Sequence, residues 1–292
     1  PGEGTARPEA QRELPALDVV TEDLVLRNKK LGRLELQAVN QGRDWRVEKL
    51  SLSNGDGQLQ LDGIWQSWAS KPSIVTNLKL EVSDSGQFLA RFGMADTIKG
   101  GSAKIEGRLG WTGGPQVIDY PTLTGNVSLH AEKGQFLKAD PGIAKLLGVL
   151  SLQTLPRRLV LDFRDVFSEG FSFDNLRGDV AIEQGIARSN NLQMKGVNAA
   201  VMMEGRADLA LETQAIRAVV VPELNAGTAS LIATVINPAV GLGTFLAQLF
   251  LRRPLMEAAT QAFQIDGSWA DPIVRRVDRK NALPDTPPHP PP

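Results

Sequence analysis

Two histidines, no cysteine and 33 scattered carboxylates are all that these 292 residues offer for acid–base, nucleophilic or metal chemistry. Without thiols there is no disulfide framework, no thiolate metal site and no cysteine nucleophile. His289 stands in a proline-rich tail. His130 lies in the alternating stretch VSLHAE, at a position on its polar face. It reads as a solvated strand histidine, and acting as a base or ligand would require acids gathered around it. No carboxylate pair is marked by context as a general acid and base. GxGxxG, P-loop, HExxH and GxSxG patterns are absent. The expectation is a protein that is not an enzyme and that holds no metal and no cofactor. Lys and Arg number 32, giving a formal charge of −1, and that balance argues against a nucleic-acid partner.

With catalysis set aside, the patterning of apolar residues carries the information. Leu34, Leu36 and Ala38 alternate with polar residues, as do Leu50 and Leu52, Leu59 and Leu61, and Leu78, Leu80 and Val82. The same period continues through Val127 and Leu129, Leu159, Leu161 and Phe163, Val180 and Ile182, and Leu209 and Leu211. Strict alternation predicts strands with one apolar and one polar face. Breaks at Asn54-Gly55, Gly100-Gly101, Gly113-Gly114, Gly134 and Gly185 predict turns between antiparallel neighbours. The fold expected is mainly β, a long antiparallel meander. A weak repeat overlies it: LQLDGIW (59–65), KIEGRLGW (104–111), MMEGRADL (202–209) and QIDGSW (264–269) each place an acid before glycine. That step predicts a bend or bulge.

Residues 1–16 read as a linker or frayed end and 278–292 as a disordered proline-rich tail, which leaves one domain over 17–277. The start at Pro1-Gly2-Glu3, without an initiator methionine or signal peptide, suggests a piece of a longer protein. Helices are expected near 85–93, 140–155 and 227–262. Asp84 and Asp140-Pro141 supply capping signals for the first two. Leu224 to Leu251 runs without a charged side chain, long enough to span a membrane, but Asn237-Pro238 interrupts it. A helical hairpin fits the interruption. Its Phe245, Leu246, Leu249 and Phe250 are candidates for docking on a membrane or closing the end of a sheet. Arg157-Arg158 reads either as a helix-end cap or as a contact for anionic headgroups.

Several strings resemble the C-terminal region of the YhdP family of AsmA-like proteins from Gram-negative bacteria. They are LSLQTLPRRLVLDF (150–163), DVFSEGFSFD (165–174), FQIDGSWADP (263–272) and, upstream, WTGGPQVIDYPTLTGNVSL (111–129). The resemblance covers roughly residues 100–275, and 17–99 match in style as repeating strands. It implies a repeating β-groove that moves glycerophospholipid between inner and outer membrane, within a periplasmic protein whose inner-membrane anchor is absent from this chain. The section would be distal, near the outer membrane surface. Val127, Leu129, Leu159, Leu161, Phe163, Val180, Ile182, Leu209 and Leu211 would then line the groove. The alternative is an envelope scaffold or assembly factor whose sheet binds a protein partner.

Overall fold

The meander expected from period two is present as a single 13-stranded antiparallel sheet whose strand order follows the chain. The computed structural model describes residues 14–26, 28–137, 171–196, 199–222, 241–252 and 260–277. Its strands are β1 (Leu17–Leu26), β2 (Lys29–Gln41), β3 (Asp44–Ser53), β4 (Gly57–Gln66), β5 (Ser73–Val82) and β6 (Ile98–Thr112). They continue as β7 (Thr124–Phe136), β8 (Phe171–Glu183), β9 (Ile186–Gly196), β10 (Ala199–Asp208), β11 (Thr213–Pro222), β12 (Gln261–Ser268) and β13 (Pro272–Val277). Two α-helices occur among the described residues, α1 (Ser85–Arg91) and α2 (Gly241–Arg252). β1 and β13 are the two edges, so the sheet is not closed into a barrel. The helices expected at 140–155 and over 227–236 lie outside the described residues.

Each strand pairs with its chain neighbour, so alternation along one strand is matched by alternation along the next. Directly opposed residues share a face. The face carrying leucine, valine and tryptophan is termed inner. The outer face of β2–β7 carries ion pairs, among them Lys49–Glu35 (2.5 Å), Lys79–Glu81 (2.7 Å) and Lys104–Glu106 (2.8 Å).

Three sequence expectations are corrected here. Gly100-Gly101 and Gly134 are not turns: they lie inside β6 and β7. There the positive φ of both glycines and of Lys133 kinks the paired strands. Of the four acid-Gly steps, Gly63 and Gly205 sit at register shifts, whereas the ladders flanking Gly107 run without one. A Cβ on Gly107 would stand 2.4 Å from the Asn126 carbonyl oxygen, so glycine serves close strand approach at that point. Leu209 and Leu211 are not in a strand either but in the β10–β11 turn, where Asp208 accepts from the backbone N–H of Ala210 and Leu211.

Residues 199–203 of β10 and 218–221 of β11 are apolar on both faces, and α2 explains why. Leu242 and Leu246, 0% and 2% exposed, pack with Ala200, Met202, Val219, Val221 and Ala262 on the outer face. Leu246 is buried against the back of the sheet, with Phe245 and Phe250 packed beside it. Leu249 lies in α2, its side chain outside the described residues. Truncating Leu246 to alanine is expected to cost about 2–5 kcal/mol, as for other buried leucines. Leu251→Ala, at an 83% exposed position, should stay within about 0.5 kcal/mol of the parent. Denaturant melts of the two variants decide this, and equal midpoints would contradict the packing.

Candidate functional site

Register sets two unbroken rows across the inner face. Leu36, Leu50, Leu61, Leu78, Gly107, Val127 and Val180 form one, each opposed to the next. Leu34, Leu52, Leu59, Leu80, Ile105, Leu129 and Gly178 form the other. Every leucine, isoleucine and valine in these rows is only partly buried. The rows cross seven strands, which at ~4.8 Å per strand spacing makes an apolar floor about 29 Å long.

Burial rises on both sides of this floor. Trp45, Trp65 and Ile74 are opposed in series, continue to Trp111, and are 7%, 7% and 6% exposed. The indoles lie along the floor's margin while their N–H groups fasten the loops above it. Trp45 Nε1 donates to Pro15 O and Trp65 Nε1 to Gly113 O, both at 2.9 Å, and Trp111 Nε1 donates to Val117 O at 3.1 Å. At the opposite margin Asp84 caps α1 by accepting from Gln87 N at 3.0 Å. Phe88 of α1 and its C-cap Phe92 pair at 5.0 Å, and Phe88 comes up beside Gly57, next to buried Val82. The ion pair of Arg91 with Asp56 ties the helix to the β3–β4 turn. Along the inner face of β5, Ile74 and Thr76 are buried, Leu78 and Leu80 half-buried, and Val82 buried again. That is the profile of a trough.

The trough collects some of the residues singled out from sequence and omits others. Val127, Leu129 and Val180 stand together in its rows. Ile182, 8% exposed, lies near the margin opposite Gly125. Leu211, 71% exposed in its turn, lines nothing, and Leu209 beside it is outside the strand ladder. Leu159, Leu161, Phe163, Arg157 and Arg158 lie outside the described residues. Missed entirely were the floor leucines of β2–β5 and the tryptophan margin. The alternation that located β7 and β8 was equally visible there, and each of Trp65 and Trp111 ends one of the acid-Gly repeats.

Polar chemistry lies on the other face. His130 meets one acid, Glu132, at 2.9 Å, and both side chains are about half exposed. That hydrogen bond holds the Glu132 carboxyl below the ordinary carboxylate range. Removing it by His130→Gln should raise the Glu132 titration midpoint toward the ordinary value, as read by NMR. The sign follows from linkage: a lowered folded pKa favours the charged form, and that contribution disappears as pH falls through it. An unmoved midpoint would contradict the pairing. Among the described residues no three His, Cys, Asp or Glu side chains are placed to hold a metal ion. A depression of about 840 Å³ on the outer face is lined by Asn126, Ser128, Asp179, Arg188, Glu204 and Arg217, among others. Asp179 there accepts from Ser128 (2.7 Å) and Asn191 (2.8 Å), and Arg217 faces Glu204 at 3.6 Å. The two acids and two arginines of the depression balance.

A protein from Escherichia coli (strain K12), "Intermembrane phospholipid transporter YhdP", is 28% identical over 252 residues, which are 86% of this chain and 20% of that protein. The chain therefore spans about one fifth of the length of this relative. No solved structure matches. No helix among the described residues is long and apolar enough to cross a membrane. The family model described as "YhdP protein" matches residues 2–274, so the likeness includes the N-terminal strands as well as the C-terminal signatures, and the chain belongs to the YhdP family.

Proposed function

We propose that this chain is one section of a periplasmic lipid conduit in which glycerophospholipid acyl chains lie along the leucine floor of β2–β8. The observation that carries the reading is the pair of partly buried apolar rows flanked by more deeply buried residues such as Trp45, Trp65, Ile74 and Val82. A closed core would bury such rows completely. Each methylene removed from water there contributes ~0.8 kcal/mol, so acyl chains bind without polar recognition. Headgroups are costly to desolvate and stay at the open seam. Successive positions along the rows offer similar leucine surfaces, so movement between them is nearly level in free energy and needs no catalytic group. Family membership supports transport over catalysis, and the resemblance of residues 100–275 to the family's C-terminal region is the ground for reading this section as distal, toward the outer membrane, in a protein anchored in the inner membrane.

The test is site-specific photo-crosslinking in cells, in the intact protein, with the probe at Leu80 and separately at Lys79. Adjacent strand residues point to opposite faces, so each position controls for the other. Phospholipid adducts at Leu80 and none at Lys79 are expected. Adducts to a protein at Leu80, with no lipid, would replace transport by the scaffold reading.

A further inference from the structure

We propose that the depression on the outer face of β7–β11 binds a phosphate group, held by Arg217, Arg188 and Arg206. The site lies on the face opposite the leucine floor and stands independently of the conduit reading. Register gives it its shape. One outer-face row runs Asn126, Ala181, Arg188, Arg206 and Ala215, each opposed to the next. The methyl side chains of Ala181 and Ala215 leave a hollow between longer neighbours, and both alanines line the depression of about 840 Å³.

Arg217 points to a ligand. It lines the hollow from β11, two residues beyond Ala215, with its side chain 15% exposed. Its Nη1 faces Glu204 at 3.6 Å, beyond hydrogen-bond length. Nε and Nη2 are buried and have no hydrogen-bond partner. Buried donors left in this state are rare in folded proteins, and a bound ion or water accounts for many of them. These two N–H groups form one edge of the guanidinium, the fork that takes two oxygens of a single anion. No hydrogen bond pins the side chain, so a rotamer adjustment brings that edge to an anion seated over the alanines. Arg188 lines the same hollow, and Arg206 stands directly opposite it on β10. Both are exposed, and neither guanidinium has a partner among the described residues. Like charges directly opposed across a ladder repel, and a shared anion relieves that repulsion. The nearby acids do not serve: Asp179 is engaged by Ser128 and Asn191, and Glu204 reaches only Nη1 of Arg217. A carboxylate brings one charge and two oxygens, which the Arg217 fork uses up. A phosphate monoester brings about two charges and three acceptor oxygens, enough to reach Arg188 and Arg206 as well. Its source is either a soluble phosphate ester or a lipid headgroup.

Titration calorimetry of the intact protein with inorganic phosphate, at about pH 8 where the ion is divalent, tests the site. Saturable binding is expected. Arg217→Lys keeps the charge but loses the fork, and should weaken binding at least about tenfold. The double variant Arg188→Gln/Arg206→Gln, at two exposed positions, should weaken it to a similar degree. Lys79→Gln removes an outer-face cation on β5, outside the depression, and should leave binding as it is. No saturable binding to the parent, or equal weakening in Lys79→Gln, would overturn the proposal. So would unchanged affinity in the arginine variants. If Arg217→Lys does not fold, the double variant decides. Competition then identifies the source. Displacement of phosphate by dihexanoyl phosphatidic acid at lower concentration than by sn-glycerol 3-phosphate would support the site as one for a lipid headgroup. Displacement by glycerol phosphate at the same or lower concentration would support it as one for a soluble phosphate ester.

Discussion

Replacing Leu80 by glutamate is expected to reduce phospholipid capture by the intact protein at least about tenfold, with the fold retained. Leu80 occupies the middle of the second row, opposed to Leu59 and Ile105. A carboxylate there faces the space assigned to acyl chains. Leaving it charged against hydrocarbon costs several kcal/mol, and each 1.4 kcal/mol is a factor of ten in occupancy. The side chain is only half-buried, so in the empty trough the glutamate reaches water, and the stability lost should be about 1–2 kcal/mol. The control is Gln60→Glu, one residue from Leu59 and on the other face, where it opposes Lys79. It should leave both capture and melting temperature unchanged. Equal loss of lipid in the two variants would indicate that added charge acts at a distance and that the inner face is not special.

The second large effect is on stability and comes from Gly125→Ala. Gly125 opposes Leu109 on one side and Ile182 on the other, at the end of β7 next to the floor. Its φ is +146°, and a Cβ would fall 2.0 Å from Arg108 O and 3.0 Å from Leu109 Cα. Both contacts are to backbone, which cannot rotate aside. Backbone strain and overpacking together should cost on the order of 2–5 kcal/mol. At ~2–4 °C per kcal/mol, the midpoint should fall by about 4–20 °C. Gly55→Ala makes the comparison, since a Cβ there meets nothing within 4 Å, and it should change little. Similar melting curves for the two alanine variants would contradict the close approach of β6 and β7.

Period two made the strands legible because most of them are wet on one face and apolar on the other. Leu34 to Leu129 could be placed on one surface before any pairing was known. It failed where that condition failed. The stretches AAVMM (199–203) of β10 and AVVV (218–221) of β11 are packed on both faces and do not alternate, and the pattern was picked up instead at Leu209 and Leu211 in the turn. The apolar face of α2 was also visible in sequence. Its partner was not, since Phe245 and Leu246 read the same whether a membrane or the back of a sheet covers them. Alternation likewise does not distinguish a closed core from an open floor. That difference depends on what packs above the leucines. It became visible only in the contrast between half-exposed Leu80 and a fully packed residue such as Val201 on the same face. The tryptophans were conspicuous in sequence, but their joint role as a margin needed the register that aligns Trp45, Trp65 and Trp111.

The most direct test is an electron cryo-microscopy map of the intact protein, purified with its native lipids, at a resolution that shows side chains. The account predicts elongated density lying across β2–β8 above the two leucine rows, with no such density on the outer face. A map in which protein segments cover Leu36, Leu50, Leu61 and Leu80, leaving no room for an acyl chain, would contradict it.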